Sequence, residues 1–289
     1  MIFTTSRCWY LFGTLVMVAV ATTSAAIAGA SAPDSPALYF LNIGQGDSEL
    51  IVLPGGQKIL IDGGPDGKKL LENLAEILPP QDRYIDILLM THPQLDHFAG
   101  FIEVLKKYEV GMFIGSQRKG EIAAYGELHR ELEKQAVPYL QLLAGDALRI
   151  SDTTLHLLGP RPADALSGEL NDTCEVVLLE SPHLTALYTG DIDAKIEDRI
   201  AGEIDQPIDV LKVAHHGSRF SSSETFLKIL KPSVAVIEVG KNTYGHPTKQ
   251  ALARLTQYAA RVLRTDQQGV IKIIGTSSGE LQISSTGNK

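Results

Sequence analysis

The sequence contains little cysteine and no excess of positive charge. Its 289 residues include two cysteines, Cys8 and Cys174, and Cys8 lies next to an apolar segment near the start of the chain. If that segment is removed, the single remaining thiol excludes an internal disulfide, so the core must stabilise the fold. The formal net charge is −8 at pH 7. Broad, sequence-independent binding to nucleic acid requires many lysines and arginines, so a polyanionic substrate would need local positive charge.

The first thirty residues have the pattern of a secretory signal peptide. Arg7 precedes the apolar segment 9–21, and small residues continue to Ala32. The apolar segment is short for a membrane span. We therefore expect residues 1–30 to be a signal peptide cleaved near Ala30, which would export the protein to the periplasm, the cell surface or the medium. An uncleaved membrane anchor is the alternative.

The rest of the sequence is long enough for one large two-layered domain. No low-complexity linker or repeat divides it, and we expect residues 36–286 to form that domain. We expect a monomer without a strong basic patch and without a transmembrane segment beyond the N-terminal one.

Apolar runs bounded by polar residues, glycine or proline predict strands, and amphipathic stretches predict helices. The predicted strands lie at 37–43, 48–53, 58–61, 85–90, 110–114, 139–143, 147–150, 154–158, 175–180, within 184–191 and 208–218, and at 234–239, 262–265, 270–274 and 281–284. The predicted helices are 67–78, 98–108, 121–135, 194–204, 224–230 and 248–258. Strands followed by a helix, repeated in two halves, indicate an α/β fold with two facing sheets and helices outside.

One stretch places two imidazoles and a carboxylate between a predicted strand and a predicted helix. His92, Asp96 and His97 follow the strand 85–90 and precede the helix 98–108. Histidine nitrogens and aspartate oxygens are ligands that Zn and Mn accept. Taken alone, the stretch fits an ordinary polar loop equally well, because histidine is also a common loop residue.

Two further predicted strands end in residues of the same chemical types. The strand within 184–191 ends in Asp191, and the strand within 208–218 ends in His215 and His216. Three strands that each end in potential ligands are far less expected by chance than one. The sequence therefore predicts a metal site built from all three strand ends.

These segments resemble a known family. His92, Asp96 and His97 resemble the HxHxDH motif of the metallo-β-lactamase fold. Further segments resemble the ComEC-type, competence-related hydrolases of that fold: LNIGQGDSELI at 41–51, ILIDGG at 59–64, LKVAHHGS at 211–218 and VGKNTYGHP at 239–247. The similarity runs in order from about Leu38 to about Leu281. It implies a four-layer αββα sandwich of two facing mixed sheets with helices outside.

The resemblance also implies roles for single residues. Asp191 corresponds to the aspartate that bridges two metals, and one of His215 and His216 corresponds to the last histidine ligand. Asp62 corresponds to a residue that orients ligands without binding metal, although an ordinary turn aspartate would fit the sequence as well.

The sequence departs from the two-metal pattern at two positions. Gln94 stands where two-metal members have a histidine, and Asn171, in an Asn-x-Thr with Thr173, stands about where the third histidine would be. A glutamine carbonyl is a weak ligand for such cations, so the first site keeps only His92 and Asp191. Gln94, Asn171 and Thr173 are then expected to act near the metal through hydrogen bonds. We expect one tightly held ion, Zn or Mn, bound by Asp96, His97, Asp191 and either His216 or His215.

A metal ion with an open coordination position lowers the pKa of water to about neutrality, and phosphodiester hydrolysis then needs donors for the developing charge. The candidate catalytic and substrate-binding residues are His215, His246, Lys241, Tyr244, Gly217 and Ser218. Asp96, a candidate metal ligand, is also a candidate catalytic residue. Asp47 is a candidate general base or a group that orients the ligands. For His246 the alternative is a cap on the last helix.

We therefore predict an exported metal-dependent phosphodiesterase or nuclease, with single-stranded DNA as a candidate substrate. Other phosphoesters, such as phosphorylcholine on cell-wall polymers, or a lactam or lactone ring, are alternative substrates. A non-catalytic metal-bound binding module is an alternative of a different class, which Gln94 makes possible. In the resembled branch this domain usually follows a membrane channel for DNA uptake, so a role in uptake is not expected from the hydrolase segment alone.

Overall fold

The structure is a computed structural model that describes residues 34–287. The predicted signal peptide, residues 1–30, lies outside this range. The segment 36–286, for which a single domain is predicted, lies inside it. Between residues 34 and 287 no helix has the length and hydropathy that a membrane span requires.

Two β-sheets face each other in the centre of the fold. In chain order the strands are β1 (Ala37–Phe40), β2 (Glu49–Val52), β3 (Lys58–Ile61), β4 (Tyr84–Leu89), β5 (Glu109–Ile114), β6 (Tyr139–Leu140), β7 (Ala147–Ile150), β8 (Thr153–Gly159), β9 (Val176–Ser181), β10 (Leu184–Tyr188), β11 (Val210–Lys212), β12 (Val234–Ile237), β13 (Arg261–Arg264), β14 (Ile271–Gly275) and β15 (Leu281–Ser285). The first sheet has the spatial order β15-β14-β1-β2-β3-β4-β5-β6, and the second has the order β13-β12-β11-β10-β9-β8-β7. Both sheets mix parallel and antiparallel pairs.

Helices cover the outer face of each sheet. In chain order they are α1 (Gly67–Ile77), α2 (Leu95–Leu105), α3 (Ala123–Lys134), α4 (Ala194–Ala201), α5 (Glu224–Leu230), α6 (Lys249–Tyr258) and the single turn α7 (Thr265–Gln268). Apolar side chains of α1, α2 and α3 pack against the first sheet, and those of α4, α5 and α6 pack against the second. A third apolar core fills the space between the sheets. The predicted αββα arrangement is confirmed.

The continuous apolar runs reflect burial on both faces of the strands. In β3, Ile59 and Ile61 contribute to the core between the sheets, whereas Leu60 contributes to the core under the helices. A strand that is buried on both sides has apolar residues at every position instead of alternating with polar ones. This pattern is the reason why the strands were readable from the sequence.

The parallel strands bring their carboxyl ends to one edge of the sandwich. In the first sheet β3, β4 and β5 are parallel neighbours, and in the second β10, β11, β12 and β13 are. Residues that follow these strands therefore meet at a common edge, where ligands bind in open α/β sheets.

Three predicted helix starts differ from the structure, and one of them is α3, which begins at Ala123 instead of residue 121. Helix α2 begins at Leu95, not at residue 98, so Asp96 and His97 lie in its first turn instead of on a loop. The apolar pattern begins only at Phe98, because the first turn faces the candidate ligands. Helix α6 begins at Lys249 after the cap Thr248, whose Oγ1 accepts from Ala251 N at 3.3 Å. Pro247 therefore precedes this helix and does not start it.

Glycines hold α2 against the end of β3. A Cβ atom at Gly100 would lie 2.0 Å from the Gly63 carbonyl oxygen. The Gly100 amide donates to the Gly64 carbonyl oxygen at 2.9 Å, and the Gly63 amide donates to the His97 carbonyl oxygen. We expect Gly100→Ala to displace α2 and to lower the free energy of unfolding by about 1–3 kcal/mol, the usual cost of overpacking. Urea unfolding of the full chain measures this loss.

Gly126→Ala in α3 is the matched control. A Cβ at Gly126 would have its nearest neighbour, Arg130 Nη1, at 3.5 Å, which is ordinary contact. This change should stabilise the protein by roughly 0.8–1 kcal/mol through helix propensity alone. Equal unfolding midpoints for Gly100→Ala and the parent protein would show that the close approach at Gly63 is not a constraint.

Candidate metal centre

The predicted ligands come together at the carboxyl edge of the two sheets. His92 follows β4, Asp96 and His97 lie in the first turn of α2, and Asp191 follows β10. The histidine pair follows β11 in a 3-10 turn, Ala214–Gly217. Segments from both sheets therefore contribute to the centre.

Two buried histidines direct their Nε2 atoms into this centre without a hydrogen-bond partner. The Nδ1 atom of His97 lies 2.7 Å from Asp62 Oδ2, and the Nδ1 atom of His216 lies 2.9 Å from the carbonyl oxygen of Glu238. Carboxylate and carbonyl oxygens only accept hydrogen bonds, so Nδ1 carries the proton in both rings. The Nε2 lone pairs are left free, which is the tautomer that a metal ligand needs.

His92 is held in the same way through a threonine. The Thr91 hydroxyl donates to Asp62 Oδ2 at 2.6 Å and lies 3.0 Å from His92 Nδ1. Because its proton is directed at the carboxylate, the hydroxyl accepts from His92 Nδ1. The buried Nε2 atom of His92 then has no partner either. Asp62 thus orients two imidazoles at once, in the position that the resemblance implied.

The carboxylates lie at ligand spacing from these nitrogens. His97 Nε2 is 3.4 Å from Asp191 Oδ2, and His216 Nε2 is 3.7 Å from the same oxygen and 3.5 Å from Asp96 Oδ2. Four ligands arranged tetrahedrally at roughly 2.0–2.2 Å from one ion lie about 3.4 Å from each other. Each of these nitrogen–oxygen pairs is therefore spaced as two ligands of one divalent cation would be.

Of the groups of neighbouring ligand atoms that include His97, two are made up of predicted ligands. The ligand atoms of Asp96, His97 and His216 lie within 4.8 Å of one another, and so do those of His92, His97 and Asp191. The first group contains three of the ligands predicted for the tightly held ion. The other group contains His92 and Asp191, the two ligands that remain for the site where Gln94 and Asn171 replace histidines.

The two adjacent histidines face different surroundings. The His216 side chain is 2% exposed, whereas that of His215 is 32% exposed and its Nε2 atom lies 3.8 Å from Asp191 Oδ2. Both residues have φ of 51°, a conformation that costs free energy for residues other than glycine and that is typical of functional sites. This turn directs His216 inward, as the candidate ligand, and leaves His215 at the rim.

Amide side chains take the place of the missing histidines. Gln94 Nε2 donates to Asn171 Oδ1 at 3.0 Å, and Asn171 Nδ2 lies 3.4 Å from His215 Nδ1. Thr173 is buried, and its hydroxyl donates to the Leu170 carbonyl oxygen at 2.7 Å, so it fixes the turn that carries Asn171. Gln94 and Asn171 thus bind each other beside the ligands.

A lysine that sequence reasoning overlooked lies directly behind the ligands. Lys212 is fully buried; its Nζ donates to the Asp47 carboxylate and to the Gly190 carbonyl oxygen, the latter at 3.0 Å. It also lies 3.9 Å from Asp191 Oδ1. Asp47 in turn lies 3.1 Å from His216 Nδ1. Of the two roles expected for Asp47, this position favours a group that orients the ligands over a general base, because the carboxylate is buried behind the imidazoles and held by a cation.

Two further buried carboxyl groups lie next to this ion pair. Carboxylate oxygens of Asp47, Glu49 and Glu238 lie within 4.8 Å of one another, and Glu238 Oε1 accepts from the Ser48 amide at 3.3 Å. The sequence contained a sign of this buried charge cluster, because each residue is a charged residue within an apolar strand segment: Glu49 in ELIV, Lys212 in LKV and Glu238 in VIEV.

The aspartates of the centre are held in the ionised form. Burial by itself raises the pKa of Asp191, but the charges of His216 and His97 outweigh burial and hold it well below its usual value. For Asp96, burial is likewise outweighed by the His216 imidazole and the His97 charge, and the pKa falls to about 2. Both carboxylates are thus negative at neutral pH, as cation binding requires.

The imidazoles respond to the same charges. Burial and the neighbouring His97 charge lower the pKa of His92 to about 3. Burial also acts to lower the pKa of His97 and of His216, but Asp191 with Asp62 raises the former well above its usual value, and Asp191 with Asp47 raises the latter to about 10. Without a cation, protons on these rings balance the carboxylates.

The buried carboxyl of Glu49 predicts a pH dependence of stability. Burial, and then the Asp47 charge, raise the pKa of Glu49 from 4.5 to about 8. The stability contributed by this group is fully present below pH 4.5 and is lost as the pH rises to about 8. In chelator-treated protein, Glu49→Gln should therefore show a smaller fall in melting temperature than the parent between those values. A calorimetric pH series from 5 to 9 measures the difference, and parallel curves would contradict the assignment.

Of the remaining predicted residues, Gly217 and Ser218 are buried, whereas Lys241, Tyr244 and His246 are more exposed. The Ser218 amide donates to the His215 carbonyl oxygen at 2.9 Å, and the Ser218 hydroxyl accepts from the Phe220 amide at 3.3 Å. The Gly217 carbonyl oxygen accepts from the Thr248 amide. The Ser218 amide is thus not free to bind a phosphate, because the turn itself uses it. Lys241 and Tyr244 are exposed, and the ring centroid of His246 lies 5.5 Å from that of His215.

Comparison with other sequences identifies related proteins. The chain is 30% identical over 257 residues to ComE operon protein 3 of Bacillus subtilis (strain 168), which covers 80% of this chain and 32% of that protein. It is 31% identical over 237 residues to Recombination protein 2 of Haemophilus influenzae, covering 81% of this chain and 28% of that protein. The chain thus spans about a third of the length of these relatives.

Solved structures share the fold at low sequence identity. YhfI from Bacillus subtilis, a metallo-beta-lactamase fold protein, aligns with a TM-score of 0.56 at 13% identity over 81% of this chain and 99% of that chain. Zn²⁺-bound PqqB from Methylobacterium extorquens aligns with a TM-score of 0.52 at 14% identity over 77% of this chain and 86% of that one. The family model described as metallo-beta-lactamase superfamily matches residues 41–240, the segment that carries every candidate ligand. With two facing sheets, ligands at their common edge and this match, the chain belongs to the metallo-beta-lactamase superfamily.

Proposed function

We propose that this protein is a metal-dependent phosphodiesterase that hydrolyses nucleic acid, with single-stranded DNA as its candidate substrate. The observation that carries the proposal is the set of three buried histidine Nε2 atoms without partners, at ligand spacing from two ionised aspartates. The relative named for recombination, Recombination protein 2 of Haemophilus influenzae, supports a nucleic-acid substrate. The signal-peptide pattern of residues 1–30 supports action outside the cytoplasm.

The donor set suits Zn or Mn, and a bound ion of this kind supplies a Lewis acid and lowers the pKa of water. The protein's own contribution is to hold the ligands in place. Asp62 and the Glu238 carbonyl oxygen fix the His97 and His216 rings. His215 lies at the open side, where its ring can donate a hydrogen bond or a proton to the leaving oxygen of a phosphodiester.

The ligand set favours one tightly bound ion. Gln94 and Asn171 are hydrogen-bonded to each other and offer no imidazole to a first site. We expect the purified protein to retain one metal equivalent after dialysis, measured by mass spectrometry of the metal. Gln94→His combined with Asn171→His should raise this number towards two, whereas Gln141→His, at an exposed position of the first sheet's edge, should leave it at one. Two equivalents retained by the parent protein would show that the amide pair does not exclude a second ion.

A screen of substrates and metals tests the activity itself. The full chain would be loaded with Zn or Mn and assayed on single-stranded DNA, double-stranded DNA, RNA and bis(p-nitrophenyl) phosphate. Hydrolysis of single-stranded DNA that requires the metal is the expected result. Turnover of phosphomonoesters, lactams or lactones alone would overturn the phosphodiesterase assignment. Metal retention without turnover of any substrate would instead favour a binding module.

A further inference from the structure

Two large aromatic side chains are exposed beside the candidate metal centre. Phe220 is 64% exposed and Tyr244 is 75% exposed. Phe220 lies just after the 3-10 turn that carries the histidine pair, and Tyr244 lies in the loop after β12. Both loops follow parallel strands of the second sheet, so both rings lie at the edge where the candidate ligands meet.

The two loops are fixed to each other and internally. The Thr248 amide donates to the Gly217 carbonyl oxygen at 2.9 Å, which joins the loops at their bases. Within the second loop, Asn242 Oδ1 accepts from the His246 amide at 3.1 Å, and Asn242 Nδ2 donates to the carbonyl oxygens of Gly240 and His246 at 2.9 and 2.8 Å. Tyr244 is thus presented to solvent on an ordered loop, and little backbone entropy would be lost on binding.

A series of rings leads from Tyr244 to the centre. Ring centroids of Tyr244 and His246 lie 6.0 Å apart, those of His246 and His215 lie 5.5 Å apart, and those of His215 and His216 lie 6.3 Å apart. A phosphate bound between His215 and the candidate ligands would therefore have its neighbouring nucleotide near Tyr244.

The same loops carry local positive charge. The guanidinium carbon of Arg219 lies 4.7 Å from the Phe220 ring centroid, and Lys241 is exposed. The segments 217–223 and 240–247 contain no acidic residue, although the chain has a net charge of −8. Aromatic rings combined with cations and without acids are the usual composition of a surface that binds single-stranded nucleic acid.

We propose that Tyr244 forms a stacking site for a base of a single-stranded nucleic acid that flanks the bond to be cleaved, with the exposed Phe220 on the neighbouring loop as a second candidate ring. This inference rests on the proposed function. Every base has a π-face, so the site would accept any sequence, while Arg219 and Lys241 would contact neighbouring phosphates. A duplex keeps its bases stacked on each other, which restricts the site to single strands.

Binding by the metal-free full chain tests the site independently of catalysis. In the presence of chelator, fluorescence anisotropy would compare a labelled oligothymidylate with an abasic strand of the same length. Tyr244→Ala should weaken oligothymidylate binding about 5- to 100-fold, the loss of one stacked base, and should leave abasic binding unchanged. Tyr244→Phe should retain the affinity. Tyr84→Ala, which removes an exposed tyrosine from the opposite end of β4, is the matched control and should also retain it.

The outcomes separate this inference from the proposed function. If oligothymidylate binds through Tyr244 but no phosphodiester is cleaved with any metal, the hydrolase assignment fails and the stacking site is supported. If DNA is cleaved but Tyr244→Ala weakens base-bearing and abasic strands equally, or neither, the stacking site is overturned. Failure of the parent protein to bind either strand overturns it as well.

Discussion

His97→Ala should abolish metal retention and lower the proposed phosphodiesterase activity by roughly 10³-fold or more, because a bound metal would supply both the Lewis acid and the activated water. His97 belongs to both groups of neighbouring ligand atoms, and its Nε2 atom lies 3.4 Å from Asp191. Of the candidate ligands His92, His97 and His216, only His97 belongs to both groups, so replacing either of the other two would affect one group. Metal content after dialysis and single-stranded DNA cleavage measure the two effects.

Two other variants make this test specific. His129→Ala changes a histidine on α3 whose ring packs between Tyr125 and Tyr139, and it should leave metal content unchanged. Asp62→Asn should weaken metal binding by about 10- to 100-fold, the usual effect of a residue that orients a ligand. One full metal equivalent in His97→Ala would refute the proposed ligand set.

Lys212→Met should lower the free energy of unfolding by about 3–5 kcal/mol, the cost of leaving a buried charge without its partner. Burial by itself lowers the pKa of Lys212, but the charges of Asp47 and Asp191 hold it above its usual value. The ammonium group thus stays charged at neutral pH. Without it, the buried Asp47 carboxylate would lose its ammonium partner and keep only the neighbouring imidazoles. Urea unfolding in the presence of chelator measures the loss.

A double variant and a control at an exposed ion pair test whether the loss comes from the buried charge. Adding Asp47→Asn to Lys212→Met removes one of the unpaired charges and should recover part of the stability. Lys68→Met breaks an exposed pair in which Lys68 Nζ lies 3.7 Å from Glu72 Oε1, and it should cost less than about 1 kcal/mol. If Lys212→Met costs no more than Lys68→Met, the buried lysine does not hold the carboxylates together.

Much of the fold was readable from the sequence because its strands are buried on both faces. Runs such as residues 87–90 and 234–237 are apolar throughout, and this pattern marks a strand of a covered sheet without any knowledge of its neighbours. The helix starts were less accurate. Asp96 and His97 belong to the first turn of α2 but interrupt its apolar pattern, since they face the metal centre instead of the core.

The sequence by itself determined which residue types end the three strands: Asp96 with His97, Asp191, and the histidine pair at 215 and 216. It also determined that Gln94 and Asn171 stand where the family resemblance would place histidines, because identity and order along the chain do not depend on packing. The tertiary structure decided which of two adjacent histidines faces inward, since that depends on the φ angles of a turn held between two strands. It also decided that Lys212 neutralises Asp47, a contact between residues 165 positions apart. Such contacts follow from how the two sheets face each other, and no local pattern encodes that arrangement.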